Sequence, residues 1–202
     1  MTKRETCNNC LRPLSTCLCA ELVSLSSSFQ VIVLQDSKES KHALSSTPLL
    51  IKQLKNSKLV IGDSFTPEEI LGNNWQETSA LIFPDLISSE NYSKKALNQP
   101  HLKSIILLDG TWKKVRRLIH LNPWLNDLPR ISIDNPPQGK YRIRKSEFKD
   151  GLATIEAAVS VLNQLESTDQ YNQLLNAFNL MIQQQIDAMG METFLKNYSI
   201  GK

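Results

Sequence analysis

Short and nearly continuous apolar runs recur along the chain, each bounded by glycine, proline, asparagine or aspartate. They occupy residues 29–34, 58–61, 80–83, 104–108 and 130–133. Runs of this length are typical of strands, and the lack of strict alternation indicates strands that are buried on both faces. The pattern therefore predicts an α/β fold in which a mostly parallel sheet is covered by helices on both faces.

The apolar period changes to that of a helix between and after these runs. One helix is predicted from about Ser46 to Lys55, with Pro48 in its first turn. A basic amphipathic helix follows the fourth run, and the chain is predicted to be helical from Ala153 onward. The positions expected to pack inward are Val115, Leu118, Ile119, Ile155, Ala158, Val159, Leu162, Tyr171, Leu174, Leu175 and Phe178, together with Trp75 and Trp124.

All four cysteines lie in the first tenth of the chain, as Cys7-x-x-Cys10 and Cys17-x-Cys19. Two close pairs of thiolates are typical of a tetrahedral zinc site, and an all-sulfur shell leaves no position for a reacting water. Disulfides are the weaker alternative, because residues 1–6 contain no apolar segment that would direct the chain to an oxidising compartment. The sequence predicts a structural zinc knuckle over residues 1–25 and an α/β domain over residues 26–202.

The composition resembles that of ordinary soluble proteins. Of the 202 residues, 41% are hydrophobic and 21% are charged, and no apolar run approaches the length of a membrane span. Positive charge is concentrated in residues 109–149, where ten lysines and arginines face four acidic residues. Such an excess suits a phosphate backbone as partner. We therefore expect a cytoplasmic protein with no membrane partner.

The fourth run ends directly in Asp109-Gly110-Thr111-Trp112. Ligands of open α/β sheets bind beyond the carboxyl ends of the strands, and a glycine there permits close approach to the backbone. Asp109 is therefore a candidate functional carboxylate, with the N-cap of the following helix as the structural alternative. Lys113 and Lys114 follow in the first helical turn, where the helix dipole favours acidic residues. Their charges suit a ligand, and a solvated basic face is the alternative.

These motifs resemble those of the DTW-domain family, the tRNA-uridine aminocarboxypropyltransferases of the wider SPOUT-like group. The resemblance covers almost the whole chain. It rests on the cysteine pattern with Arg12-Pro13 inside it, on the segments 109–112, 128–130 and 141–145, and on the segment 152–157. The stretch 45–48 departs from the family pattern, because it lacks the arginine expected there; Lys41 and Lys52 are candidates to replace it.

The resemblance implies a SPOUT-like, knotted core and an enzyme that transfers the 3-amino-3-carboxypropyl group of S-adenosylmethionine to N3 of a uridine in tRNA. Asp109 would be the base. Cofactor contacts are expected from Phe83, Pro84, Leu108, Asp109, Gly110, Thr111, Trp112 and Ile133. Phosphate contacts are expected from Lys113, Arg116, Arg117, Arg142, Arg144 and Lys145. Two interpretations of Trp112 are open: its ring stacks on uracil or adenine, or it packs in the core.

Two other functions stay open at this point. One is methyl transfer by a SPOUT-type RNA methyltransferase, and the other is a zinc-knuckle RNA-binding protein without activity. The oligomeric state is open between a monomer and a homodimer, since no exposed apolar stripe demands pairing.

Overall fold

The computed structural model describes residues 5–39, 45–83, 101–133, 139 and 151–198. Five strands form one sheet in the order β2-β1-β4-β3-β5, and every neighbouring pair is parallel. The strands are β1 (Gln30–Asp36), β2 (Ser57–Gly62), β3 (Ser79–Ile82), β4 (Ser104–Asp109) and β5 (Arg130–Ile131). The predicted mostly parallel sheet is confirmed, and the fifth strand is shorter than its apolar run.

Seven α-helices lie in the described part of the chain. They are α1 (Thr47–Gln53), α2 (Pro67–Leu71), α3 (Trp75–Thr78), α4 (Trp112–Leu121), α5 (Thr154–Glu166), α6 (Leu175–Met189) and α7 (Met191–Tyr198). Turns of 3₁₀ helix occur at Leu14–Thr16, Cys19–Glu21, Pro123–Asn126 and Gln170–Leu174. The predicted first helix ends two residues early, because Leu54 is already extended. The short helices α2 and α3 were not predicted, since four or five residues are too few to show a helical period.

Two apolar clusters cover the two faces of the sheet. Val31 and Val33 point to the face that packs on α1, α5 and α6, while Ile32 and Leu34 point to the face that packs on α3 and α4. Both sets are fully buried. The clusters explain why the strand runs are apolar at every position, and they confirm helices on both faces.

The two tryptophans expected to serve packing do so. Trp75 is buried, and its ring meets Trp124 edge-on at 5.4 Å between centroids. Each indole N–H finds an acceptor, on the Glu68 carboxylate and the Phe65 carbonyl respectively.

The N-terminal segment is joined to the α/β core. Leu18 is completely buried in the larger cluster, and Arg12 donates to the Gln184 side chain of α6 at 3.5 Å. The division at residue 25 stays a prediction. So does the knotted core, because residues 84–100 and 134–138 lie outside the described residues. No helix in the described segments is long and apolar enough to cross a bilayer.

The buried side chain of Gln53 connects the N-terminal segment to the α/β core. Its amide donates to the carbonyls of Leu49 and Leu174 at 3.1 Å each, and its oxygen accepts from the Val23 N–H at 3.2 Å. The side chain is fully buried, so these three bonds have no water to replace them.

We predict that Gln53→Met lowers the free energy of unfolding by about 1–3 kcal/mol, because it keeps the volume and leaves buried partners unpaired. Lys52→Met, on the exposed side of the same helix, is the matched control and should stay within about 0.5 kcal/mol of wild type. Urea denaturation of both variants measures the difference. Equal midpoints would contradict a clamping role for Gln53.

Candidate functional site at the carboxyl ends of β1 and β4

The sheet reverses its winding between β1 and β4. From β1 the chain moves outward to β2 on one side, whereas from β4 it moves to β5 on the other side. Parallel α/β sheets place their ligand crevice at such a switch point, outside the carboxyl ends of the strands. The register pairs Gln35 of β1 with Asp109 of β4 at this position. The segment 109–112, singled out from the sequence, therefore lies at the edge of the sheet where such a crevice is expected.

Asp109 is the centre of a buried hydrogen-bond network. Only 8% of the residue is exposed. Its Oδ2 accepts from the Gln35 amide at 2.6 Å and from the Thr47 hydroxyl at 2.8 Å, and its Oδ1 accepts from the Thr154 hydroxyl at 2.5 Å. One carboxylate thus connects β1, α1, β4 and α5.

Asp109 does not serve as the N-cap of the following helix, which was the structural alternative. The N-cap of α4 is Thr111, and the helix begins at Trp112. An ionised carboxylate has about four acceptor positions, of which three are filled by the donors above. Among the described residues, these three donors hold the carboxylate in one orientation and leave one acceptor position, on Oδ1.

Sequence reasoning missed the three donors. Gln35 is a polar residue at the end of an apolar strand, Thr47 lies in the stretch that departs from the family pattern, and Thr154 lies in the segment 152–157. The signal available for Gln35 was a polar residue directly after the apolar run 29–34. No pattern in the sequence pairs the two threonines with Asp109.

An aromatic pair lies beside this network. Phe83, directly after β3, meets Trp112 edge-on at 6.0 Å between ring centroids. The Arg130 guanidinium lies 5.2 Å from the centroid of the Phe83 ring. Trp112 therefore packs in the smaller core cluster, while remaining only half buried.

The predicted cofactor residues are brought together in part. Leu108 to Trp112 connect the end of β4 to the start of α4 at this edge of the sheet, and Phe83 contacts Trp112. A Cβ on Gly110 would lie 3.0 Å from the Lys114 Cβ, so a side chain at this position would collide with the first turn of α4. Ile133 packs against the opposite core and is not placed with Phe83. Pro84 lies outside the described residues.

An ion cluster borders the crevice on the β2 side. Arg117 donates to Asp36 at 2.7 Å and to Asp63 at 2.6 and 3.2 Å. The two bonds from Arg117 to Asp63, with a further one from the Ser37 hydroxyl, lower the pKa of Asp63 to about 2. Lys114 forms a separate ion pair with Glu39 at 2.6 Å. Arg117, predicted to contact phosphate, thus has both terminal nitrogens on carboxylates of its own chain.

The remaining predicted phosphate contacts divide into two groups. Lys113 and Arg116 are exposed on α4. Arg142, Arg144 and Lys145 lie outside the described residues.

The four cysteines form one cluster. Their sulfur atoms all lie within 4.8 Å of one another, with Cys7 to Cys19 at 3.5 Å and Cys10 to Cys17 at 3.7 Å. Tetrahedral zinc with Zn–S bonds of ~2.3 Å requires sulfur atoms ~3.8 Å apart. The predicted cysteine set is thus close enough together to bind one metal ion.

A tight backbone turn positions Cys7 and Cys10 in this cluster. The Cys7 N–H donates to the Arg12 carbonyl at 2.8 Å, and the Leu11 N–H donates back to the Cys7 carbonyl at 2.9 Å. Backbone N–H groups of Cys10 and Asn9 donate to the Cys7 sulfur and lower its pKa to about 6. These N–H groups favour the thiolate, which is the form that binds a metal.

Comparison with known proteins gives the same family over most of the chain. The profile of the DTW domain matches residues 4–186. The tRNA-uridine aminocarboxypropyltransferase 2 of Macaca fascicularis is 27% identical over 180 residues, which are 86% of this chain and 60% of that protein. The protein of the same name from Drosophila melanogaster is 26% identical, over 97% of this chain and 81% of its own length.

A plant relative, tRNA-uridine aminocarboxypropyltransferase A of Arabidopsis thaliana, is 28% identical, over 81% of this chain and 74% of its own length. The chain spans about three fifths of the length of the matching proteins from Macaca fascicularis and Mus musculus. No solved structure matches it significantly. The profile match over residues 4–186 shows that the chain belongs to the DTW-domain family.

Proposed function

We propose that the protein is a tRNA-uridine aminocarboxypropyltransferase that modifies N3 of a uridine with the 3-amino-3-carboxypropyl group of S-adenosylmethionine. The observation that carries this proposal is that segment 109–112 lies at the switch point of the sheet, with the Asp109 carboxylate buried and held in one orientation by hydrogen bonds. The names of its relatives support the reaction class.

The residues of the crevice fit such a co-substrate. S-adenosylmethionine, when bound, supplies an electrophilic methylene next to its sulfonium and leaves as methylthioadenosine. The half-buried ring of Trp112, which meets the Phe83 ring edge-on, offers an aromatic surface for adenine. We propose contacts from Phe83, Pro84 and the segment Leu108–Trp112, with Ile133 as an additional candidate.

Asp109 is the proposed group for the N3 proton of uracil. That N–H is a weak acid, so bond formation at N3 needs an acceptor for its proton. Gln35, Thr47 and Thr154 fix the carboxylate and leave the free acceptor position on Oδ1 to meet it. These three side chains are positioning residues, because each acts through Asp109.

The cysteine cluster is proposed to hold structural Zn²⁺. Four sulfur ligands leave no open coordination position, so the metal would stabilise the knuckle and would take no part in the transfer. Since Leu18, the residue between Cys17 and Cys19, is buried in the core, folding of the knuckle affects the domain behind it. Cytoplasmic location and the choice between monomer and homodimer stay predictions.

The reaction itself is tested by incubating the purified protein with unmodified tRNA and S-adenosylmethionine. We expect nucleoside mass spectrometry to show a uridine with the mass of the aminocarboxypropyl group, with methylthioadenosine released in equal amount. A methyl mass would instead establish a methyltransferase. Absence of both modification and S-adenosylmethionine binding would favour the RNA-binding alternative.

Asp109→Asn tests the base. The variant removes the proton acceptor, and we expect product formation to fall by about 10²-fold or more, the usual contribution of general base catalysis. Asp127→Asn makes the same chemical change at an exposed position directly after the 3₁₀ turn Pro123–Asn126 and should leave the rate unchanged.

Thermal unfolding and S-adenosylmethionine binding are measured on both aspartate variants, since an asparagine amide also adds a donor to a site full of donors. A folded Asp109→Asn protein that forms product at the wild-type rate would show that Asp109 is not the base.

Elemental analysis of the purified protein tests the metal. We expect about one zinc per chain, and loss of that zinc in Cys10→Ser, because a tetrahedral site needs all four sulfur ligands. Ser15→Ala, at an exposed position of the same knuckle, should keep the metal. Chelation should lower the melting temperature of the wild type and not that of Cys10→Ser. Wild-type protein without zinc would refute the site.

A further inference from the structure

Helix α4 divides into three stripes with different surroundings. Val115 and Leu118 form a buried stripe against the sheet. Lys114 and Arg117 form a second stripe, which is neutralised by Glu39, Asp36 and Asp63. The third stripe consists of the exposed side chains of Lys113, Arg116 and His120, and we call it the outer stripe.

The outer stripe carries charge that is not neutralised. Within the segments that the structure describes, no carboxylate forms an ion pair with Lys113 or Arg116, and α4 contains no acidic residue. A spacing of i, i+3 and i+7 aligns the three side chains over ~10 Å of helix axis. The five basic side chains of α4 thus divide into two that form ion pairs with acidic side chains and three that are exposed.

The outer stripe begins at the candidate site. Lys113 lies in the first turn of α4, four residues after Asp109. The N-terminus of this ten-residue helix adds its partial positive charge to that of Lys113. An anion that follows the outer stripe is therefore led to the crevice that holds Asp109.

We propose that the outer stripe of Lys113, Arg116 and His120 contacts the phosphate backbone of the tRNA, whereas Lys114 and Arg117 are internal partners of acidic side chains. This inference rests on the proposed function, because it takes tRNA as the substrate. Guanidinium, ammonium and imidazole N–H groups all donate to phosphate oxygens. Such contacts supply affinity and orientation without reading the base sequence.

The test compares two double variants of the same helix by titrating tRNA at several salt concentrations. Lys113→Ala with Arg116→Ala removes two uncompensated charges. Lys114→Ala with Glu39→Ala removes a neutralised pair and leaves the net charge unchanged. His120→Ala is titrated separately, because its contribution is a hydrogen bond in addition to any charge.

Each lost phosphate contact lowers the slope of log affinity against log salt by about one. We therefore expect the outer-stripe double variant to bind more weakly and to show a slope smaller by about two, with His120→Ala between it and wild type. The neutral pair variant should keep the wild-type slope. Because the replaced side chains of the outer stripe are exposed, melting temperatures should not change.

The outcomes separate the two proposals. If wild type binds and modifies tRNA but the outer-stripe variant has the wild-type slope, the inference is wrong and the proposed function stands. If the neutral pair variant loses the same slope as the outer-stripe variant, the division of the helix is wrong. If wild-type protein does not bind tRNA, both proposals fail.

Discussion

The buried carboxylate of Asp109 is the constraint on which the crevice depends. It lies at the end of the central strand β4 and accepts hydrogen bonds from Gln35, Thr47 and Thr154, which belong to three other elements. A buried carboxylate is tolerated only when it is hydrogen-bonded, so these elements must converge for the fold to be stable. The same convergence gives the carboxylate a single orientation. Asp109 therefore serves both the stability of the fold and the proposed chemistry.

Charge neutralisation organises the other side of the crevice. Asp36 at the end of β1 is fully buried, and Arg117 reaches it from α4 while also binding Asp63 beyond β2. Removing one partner of such a group would leave a buried charge unpaired, which costs far more than a surface ion pair gains. The ion cluster thus fixes α4 relative to β1 and β2. Fixing the helix also fixes which of its basic side chains point away from the protein.

The knuckle and the α/β core are coupled through packing. Leu18, which lies between Cys17 and Cys19 in the sequence, is buried in the core, and Gln53 of α1 bonds to the backbone of Val23. A metal held by the four sulfur atoms would stabilise the turn that carries Leu18 into the core. The knuckle therefore contributes to the stability of the domain behind it.

The sequence by itself determined the strands, the long helices and the cysteine cluster. Each is a local signal: an apolar run, a period of 3.6 residues, or thiols a few positions apart. The tertiary structure decided the partners of Asp109, which lie 74, 62 and 45 residues away, and the pairing of Arg117 with Asp36 and Asp63. Spacing along the chain does not encode such contacts, because they arise only when parallel strands bring distant carboxyl ends to one edge of a sheet. For the same reason, sequence alone assigned Arg117 and Arg116 the same role, and the fold gave them different surroundings.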